Sequence, residues 1–261
     1  MANVLAVSNQ KGGVGKTTTS VNLAASLAAT QRRVLLLDFD PQGNATMASG
    51  VNKHEIEQTS YHVLMNEASI GDVLMCLDEV DYDLIPSNTD LTAAEVQLVA
   101  EEGREHRLRN ALSNEVREQY DYILIDCPPS LNVLTVNALV AADAVLIPTQ
   151  CEYYALEGLS DLLSTIEQIR AHANPALDVA GLLRTMYDPR NRLSDEVSKQ
   201  LTSHFGEKVY STVIPRNVRL AEAPSFGLPA LQYDKASRGA MAYLALAGEI
   251  VRRESIGGAA A

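Results

Sequence analysis

Lys16 and Thr17, preceded by Gly12, Gly13 and Gly15, are the residue types that hold a triphosphate by its charged end. They close the stretch Gln-Lys-Gly-Gly-Val-Gly-Lys-Thr-Thr at residues 10–18. Glycines give such a loop its turns and let a phosphate approach without a Cβ in the way. The backbone N–H groups of Gly12, Gly13, Val14 and Gly15, with those of Lys16, Thr17 and Thr18 at a helix start, then converge on phosphate oxygens. The Lys16 ammonium suits the β- and γ-phosphates, and the Thr17 hydroxyl suits a Mg²⁺ ion.

The match to G-x-x-x-x-G-K-[ST] is not strict, because position 10 is Gln and a second lysine, Lys11, stands beside the glycines. That lysine is either spare surface charge or a cation lent to another subunit, where it would act as an arginine finger does. Two carboxylates complete the chemistry. Asp126 ends the apolar run Tyr122 to Asp126 and fits the Walker B role of holding Mg²⁺ through water. Asp40 stands where a carboxylate could orient or deprotonate the attacking water, or could simply cap the turn at Pro41.

These residues need strands to carry them. Val4 to Val7, Arg33 to Phe39 and Tyr122 to Asp126 are apolar runs of the kind buried in parallel sheets, the last two closing in acids. Ligands of open α/β sheets lie at such C-terminal strand ends. Further strands are expected at 83–86, 144–148, 179–185 and 209–214. Helices are expected at 18–29, around 61–65 and 70–77, and at 91–112, 132–141, 156–172, 194–205 and 238–253. The 91–112 helix reads as a surface one, and Ser194 reads as the cap of its own helix. Strands alternating with helices imply an α/β fold, a mostly parallel twisted sheet covered on both faces. With no linker or repeat, residues 1–254 are expected to form one domain and 255–261 a frayed tail.

With 46% hydrophobic and 21% charged residues, the 261-residue chain has ordinary globular composition. Cys76, Cys127 and Cys151 lack metal-ligand spacing, which predicts reduced thiols in a cytoplasmic protein. No basic signal-peptide start and no apolar run near 18 residues are present, so no membrane role is expected. The net charge of −12 argues against nucleic acid taken whole. Residues 1–183 carry 10 Lys/Arg against 25 Asp/Glu, but residues 184–261 carry 11 against 8, which permits a local basic face.

Together KGGVGKTT, DFDPQGN at 38–44, ILIDCPPS at 123–130, QCEYYALEGL at 150–159 and IPRNVRLAEAPS at 214–225 resemble the ParA/Soj-type partition ATPases. These belong to the deviant Walker A, SIMIBI-like class of P-loop proteins, and the motifs run in family order through most of the chain. The resemblance implies that Lys11 crosses an ATP-sandwiched homodimer and that Asp40 is the hydrolytic aspartate of the first switch. It implies a nucleoid-associated ATPase using ATP and Mg²⁺, whose dimer binds double-stranded DNA without sequence preference. A ParB-type centromere-binding partner is expected to stimulate hydrolysis and release.

Arg190 in YDPRNR and Arg219 in IPRNVRLAEAP match DNA-contact positions of that family, with Arg192, Arg216 and Lys199 as weaker candidates. Pro215 and Asn217 resemble positions near adenine, and Met186 could pack on the ring or in the core. With the P-loop at residue 10, the N-terminal helix-turn-helix of larger plasmid types is not expected. The alternative is a MinD-like membrane-cycling ATPase that positions the division site. It needs a bulky amphipathic C-terminal helix, and the chain reads RRESIGGAAA there. An electron-transfer ATPase with a cluster shared across a dimer is a further rival, tied to Cys127 and Cys151.

Overall fold

The structure, a computed structural model, describes residues 1–153 and 155–257. Its elements in chain order begin with β1 (Asn3–Val7), α1 (Lys16–Ala28), β2 (Val34–Asp38), α2 (Asn44–Ala48), α3 (Ser60–Leu64) and α4 (Ile70–Val73). Next come β3 (Met75–Leu77), β4 (Tyr82–Ile85), α5 (Leu91–Gln97), α6 (Arg107–Ala111), α7 (Asn114–Gln119) and β5 (Tyr122–Asp126). The remainder is α8 (Val133–Ala141), β6 (Ala144–Gln150), α9 (Ala155–His172), β7 (Asp178–Tyr187), α10 (Arg192–Phe205), β8 (Val209–Pro215), α11 (Val218–Glu222), α12 (Ala230–Tyr233) and α13 (Arg238–Gly257).

One eight-stranded sheet runs in the order β3-β4-β2-β5-β1-β6-β7-β8. Every pairing is parallel except β3 with β4, which is antiparallel at the edge. Strand residues alternate between two cores, as the pleat requires. Val4, Ala6, Leu35, Leu37, Ile123 and Ile125 pack with Leu134, Leu159 and Leu201, on the face carrying α8, α9 and α10. Leu5, Val7, Leu36 and Leu124 pack with Leu23, Leu27, Tyr243 and Leu246, on the face carrying α1 and α13. Both faces are thus dry, and after Asn3 at the start of β1 the strands β1, β2 and β5 carry no charged residue until their C-terminal ends. There Val7 and Asp38 flank Asp126 in register.

Several expected elements differ. The helix expected over 91–112 is broken, because Gly103 takes a left-handed φ of 67° and turns the chain between α5 and α6. Nor is it a surface helix throughout, since Leu91, Ala94, Leu98 and Leu108 are fully buried. The helix expected over 70–77 stops at Val73, and Met75–Leu77 pairs instead with β4. A three-residue apolar run has no periodicity to separate these outcomes. Helix α10 begins at Arg192 with Asn191 as its cap, accepting from Leu193 N. Ser194 is buried inside that helix and donates to the Cys151 carbonyl. Helix α13 runs to Gly257, three residues into the segment expected to fray, while Tyr154 and residues 258–261 lie outside the described residues.

Candidate nucleotide site

The loop between β1 and α1 is fastened at both ends. Asn9 Nδ2 donates to the Pro148 carbonyl at the end of β6 (2.8 Å), and Asn9 Oδ1 accepts from Lys11 N (3.0 Å). Farther along, Thr185 Oγ1 on β7 donates to the Val14 carbonyl (2.8 Å). Gly13 and Gly15 have φ of 75° and 88°, a region closed to most side-chain-bearing residues, so the loop's course depends on them. Gly15 is the N-cap of α1, whose first residue is Lys16. The Lys16 ammonium is nearly buried and folds back onto the Lys11 carbonyl at 3.2 Å. Burial lowers its pKa, and the Asp126 charge opposes that shift.

Asp126 is fully buried and is gripped from α1 by two hydroxyls one turn apart, Thr17 Oγ1 and Ser20 Oγ, each at 2.8 Å. Beside it Asp38, also fully buried, accepts from Thr46 N, Thr46 Oγ1 and Asp40 N. Burial raises the pKa of both carboxyls, and the Asp38 charge raises that of Asp126 further. Two carboxylates so placed call for a cation. The donors are hard oxygens, and among the described residues no cluster of His, Cys, Asp and Glu forms a protein cage. That set suits Mg²⁺, which keeps waters and shares substrate phosphates rather than occupying a closed site.

Asp40 lies just past β2, almost buried. One of its oxygens caps the following turn by accepting from Gln42 N (2.9 Å), while Ser87 Oγ holds its carbonyl. The capping bond engages Oδ1 of the carboxylate. Glu95 on α5 senses the Asp40 charge, and with burial this raises its pKa. It accepts from Asn132 Nδ2 (2.7 Å), whose side chain also caps α8. Lys11 is paired within its own chain, its ammonium 2.7 Å from Glu152 Oε2, with both side chains half-exposed.

Beside the loop is a pocket of about 190 Å³ lined by Gly15, Thr18, Met186, Pro215, Asn217 and Tyr243, among others. It brings together all three residues expected near adenine. Met186 has a φ of 50°, a strained conformation for a side-chain-bearing residue, of the kind that clusters at functional sites. Asn217 Oδ1 is engaged by Arg219 N at the start of α11. Sequence reasoning placed Asp38 at a ligand-bearing strand end without giving it a role, and overlooked Ser20, Thr185 and Tyr243. Ser20 had a readable signal, being four residues after Lys16 on one helix. Asp38 had the same strand-end position that singled out Asp126.

The basic candidates differ in their surroundings. Arg219 contacts Glu222 (2.8 Å) and Asp234 (3.3 Å), and Lys199 contacts Asp195 (2.7 Å). Arg190 is held in two bonds by Asp188, at 2.9 and 2.8 Å. Arg192 opens α10, exposed, and Arg216 is exposed beside the nucleotide-side pocket.

The rival chemistries fit less well. Burial pushes the Cys127 thiol well above its usual range and the Cys151 thiol up to about 11, and Cys76 sits on the edge strand β3. Among the described residues no helix is long and apolar enough to cross a membrane. One face of α13 is already in the core, where Ala240, Tyr243, Leu246, Ala247 and Ile250 are buried, while Met241 is exposed.

Comparison with known proteins agrees with this arrangement. The AAA domain family matches residues 2–179. The chromosome partitioning protein ParA of Caulobacter vibrioides is 53% identical over 252 residues, covering 96% of this chain and 94% of that protein. Sporulation initiation inhibitor protein Soj of Bacillus subtilis is 52% identical over 250 residues, covering 96% and 98%. A Mycobacterium smegmatis structure described as cobyrinic acid a,c-diamide synthase with bound ADP and magnesium superposes with a TM-score of 0.86. It shares 37% identity, covering 98% of this chain and 97% of that one. By its phosphate loop, its strand-end carboxylates and these relatives, the chain belongs to the ParA/Soj family of chromosome-partitioning P-loop ATPases.

Proposed function

We propose that this chain is a DNA-segregation ATPase in which ATP binding builds a homodimer able to hold duplex DNA, and hydrolysis dissolves it. The observation that carries the reading is the Thr17–Asp126 bond beside Lys16, in a loop whose Gly15 and Thr18 line the pocket of Met186, Pro215 and Asn217. One end of that junction suits a triphosphate and the other an apolar ring. Lys16 and the loop N–H groups bind the phosphates, and Thr17, with Asp126 through water, holds Mg²⁺. The bound ion supplies charge neutralisation at the β- and γ-phosphates. Asp40 orients the attacking water and accepts its proton, and Asp38 keeps the loop carrying Asp40 in place through Thr46 and Asp40 N.

Lys11 neutralises charge on the partner copy's γ-phosphate. To do so it must leave Glu152, and an exposed ion pair of this kind costs only about 0–1 kcal/mol to break. Arg219 and Arg190, which are exposed, exchange their carboxylates for DNA phosphates. A ParB-type partner accelerates turnover, and the protein cycles on and off the nucleoid in the cytoplasm. Residues 1–254 act as one ATPase domain.

Non-specific duplex binding, titrated with salt in ATP, ADP and no nucleotide, tests this directly. Binding is expected in ATP alone, insensitive to sequence and falling steeply as salt rises. Equal binding in all three states would overturn the reading. An ATP turnover that depends on an added carboxylic acid and a nitrogen donor would instead favour the synthase chemistry described for the mycobacterial relative.

A further inference from the structure

The nucleotide pocket shares a wall with a second, more open cavity. Strand β7 ends at Tyr187 beside Pro215 of β8, and Arg216 N donates to the Tyr187 carbonyl at 3.3 Å. Inside this seam is the pocket of Met186 and Asn217. Outside it is a cleft of about 340 Å³ lined by Tyr187, Asp188, Arg190, Arg216 and Arg238, with two prolines. Pro215 and Arg216 line both cavities.

Three guanidiniums therefore surround one carboxylate. Arg190 occupies that carboxylate with two bonds and holds its pKa down to about 2. Arg216 and Arg238 form no salt bridge among the described residues, although the Arg216 charge also acts on Asp188 and the chain as a whole is strongly acidic. Arg219 and Lys199, by contrast, are neutralised where they stand. A convergence of like charges is unfavourable unless an anion completes it. The planar guanidinium matches a phosphate in two parallel bonds.

We propose that this cleft seats a backbone phosphate of duplex DNA, with Arg216 and Arg238 as its contacts and Asp188 as a built-in competitor restraining Arg190. The proposal rests on the DNA-binding reading above and adds Arg238 to it. It also supplies a route from nucleotide to DNA, since a base packed against Pro215 fixes the segment that presents Arg216.

The test is fluorescence anisotropy of the full chain on a short non-specific duplex in ATP, repeated across salt. Arg238→Ala is expected to weaken binding about tenfold at low salt and to flatten the slope of log K against log salt by about 0.9, one phosphate contact. Retained ATP binding serves as the folding control. Asp188→Asn is expected to tighten binding several-fold by freeing Arg190. A native salt slope in Arg238→Ala, or no tightening in Asp188→Asn, would overturn the proposal while leaving DNA binding intact. Displacement of DNA by inorganic phosphate beyond chloride of matched ionic strength would reassign the cleft to a small anion. No ATP-dependent binding by the native chain would remove the DNA reading itself and this seat with it.

Discussion

Lys16→Ala is expected to abolish nucleotide binding and with it every ATP-dependent property of the protein. The lysine is nearly buried, its ammonium fixed over the loop by the Lys11 carbonyl, and the two buried carboxylates Asp126 and Asp38 lie on the same side of the sheet. Removing it leaves the incoming phosphates facing acids, with the loop's other lysine, Lys11, held on Glu152. Two charge-assisted bonds to phosphate contribute about 1.5–3 kcal/mol each. Their loss corresponds to a fall in affinity of about 10²- to 10⁴-fold. Equilibrium binding of a fluorescent ATP analogue measures this directly. The apo chain is expected to remain folded, because desolvation of the Lys16 ammonium is itself a cost that alanine does not carry. Native affinity in the variant would mean that the phosphates are held elsewhere.

Asp40→Ala is expected to separate binding from turnover. Asp40 does not line the nucleotide pocket, and its carbonyl bond to Ser87 Oγ survives the substitution. Loss of the bond to Gln42 N loosens the turn, at about 0.5–1.5 kcal/mol. A positioned general base contributes about 10²- to 10⁴-fold to rate, so hydrolysis should fall by that factor while ATP binding persists. Single-turnover hydrolysis alongside binding distinguishes the two effects. Unchanged hydrolysis would take Asp40 out of the mechanism and point to Glu95, a carboxyl on α5 that the Asp40 charge also reaches.

The phosphate loop and the strands leading to it were legible because their signals are local. Glycine, lysine and threonine at fixed spacing define a backbone conformation, and a dry apolar run ending in an acid defines a buried strand. Gly15, Lys16, Thr17 and Asp126 accordingly sit together as expected, with Thr17 bonded to Asp126. The pocket of Met186, Pro215 and Asn217 was reached only through resemblance, since about 170 residues of chain separate Gly15 from Met186 and nothing local joins them. What stayed hidden depends on tertiary partners. The strand at Met75–Leu77 exists because β4 offers an edge, and the helix over 91–112 breaks because Gly103 adopts a conformation that periodicity does not report. The charge state of the basic surface was hidden for the same reason. Arg219 and Arg190 were the stronger candidates in sequence and Arg216 a weaker one, yet the first two meet carboxylates across short stretches of chain. Arg238 escaped notice because it opens a helix that reads as core, and only the fold turns it toward Tyr187 and Arg216.

A triphosphate shared between two copies of the chain is the idea on which the switching rests. Light scattering of Asp40→Ala with Mg²⁺ and ATP gives the molar mass of the complex before hydrolysis can dissolve it. The account predicts the mass of two chains in ATP and of one chain in ADP, with Lys11→Ala in the same background remaining at one. A single chain saturated with ATP, its Lys11 still on Glu152, would contradict it.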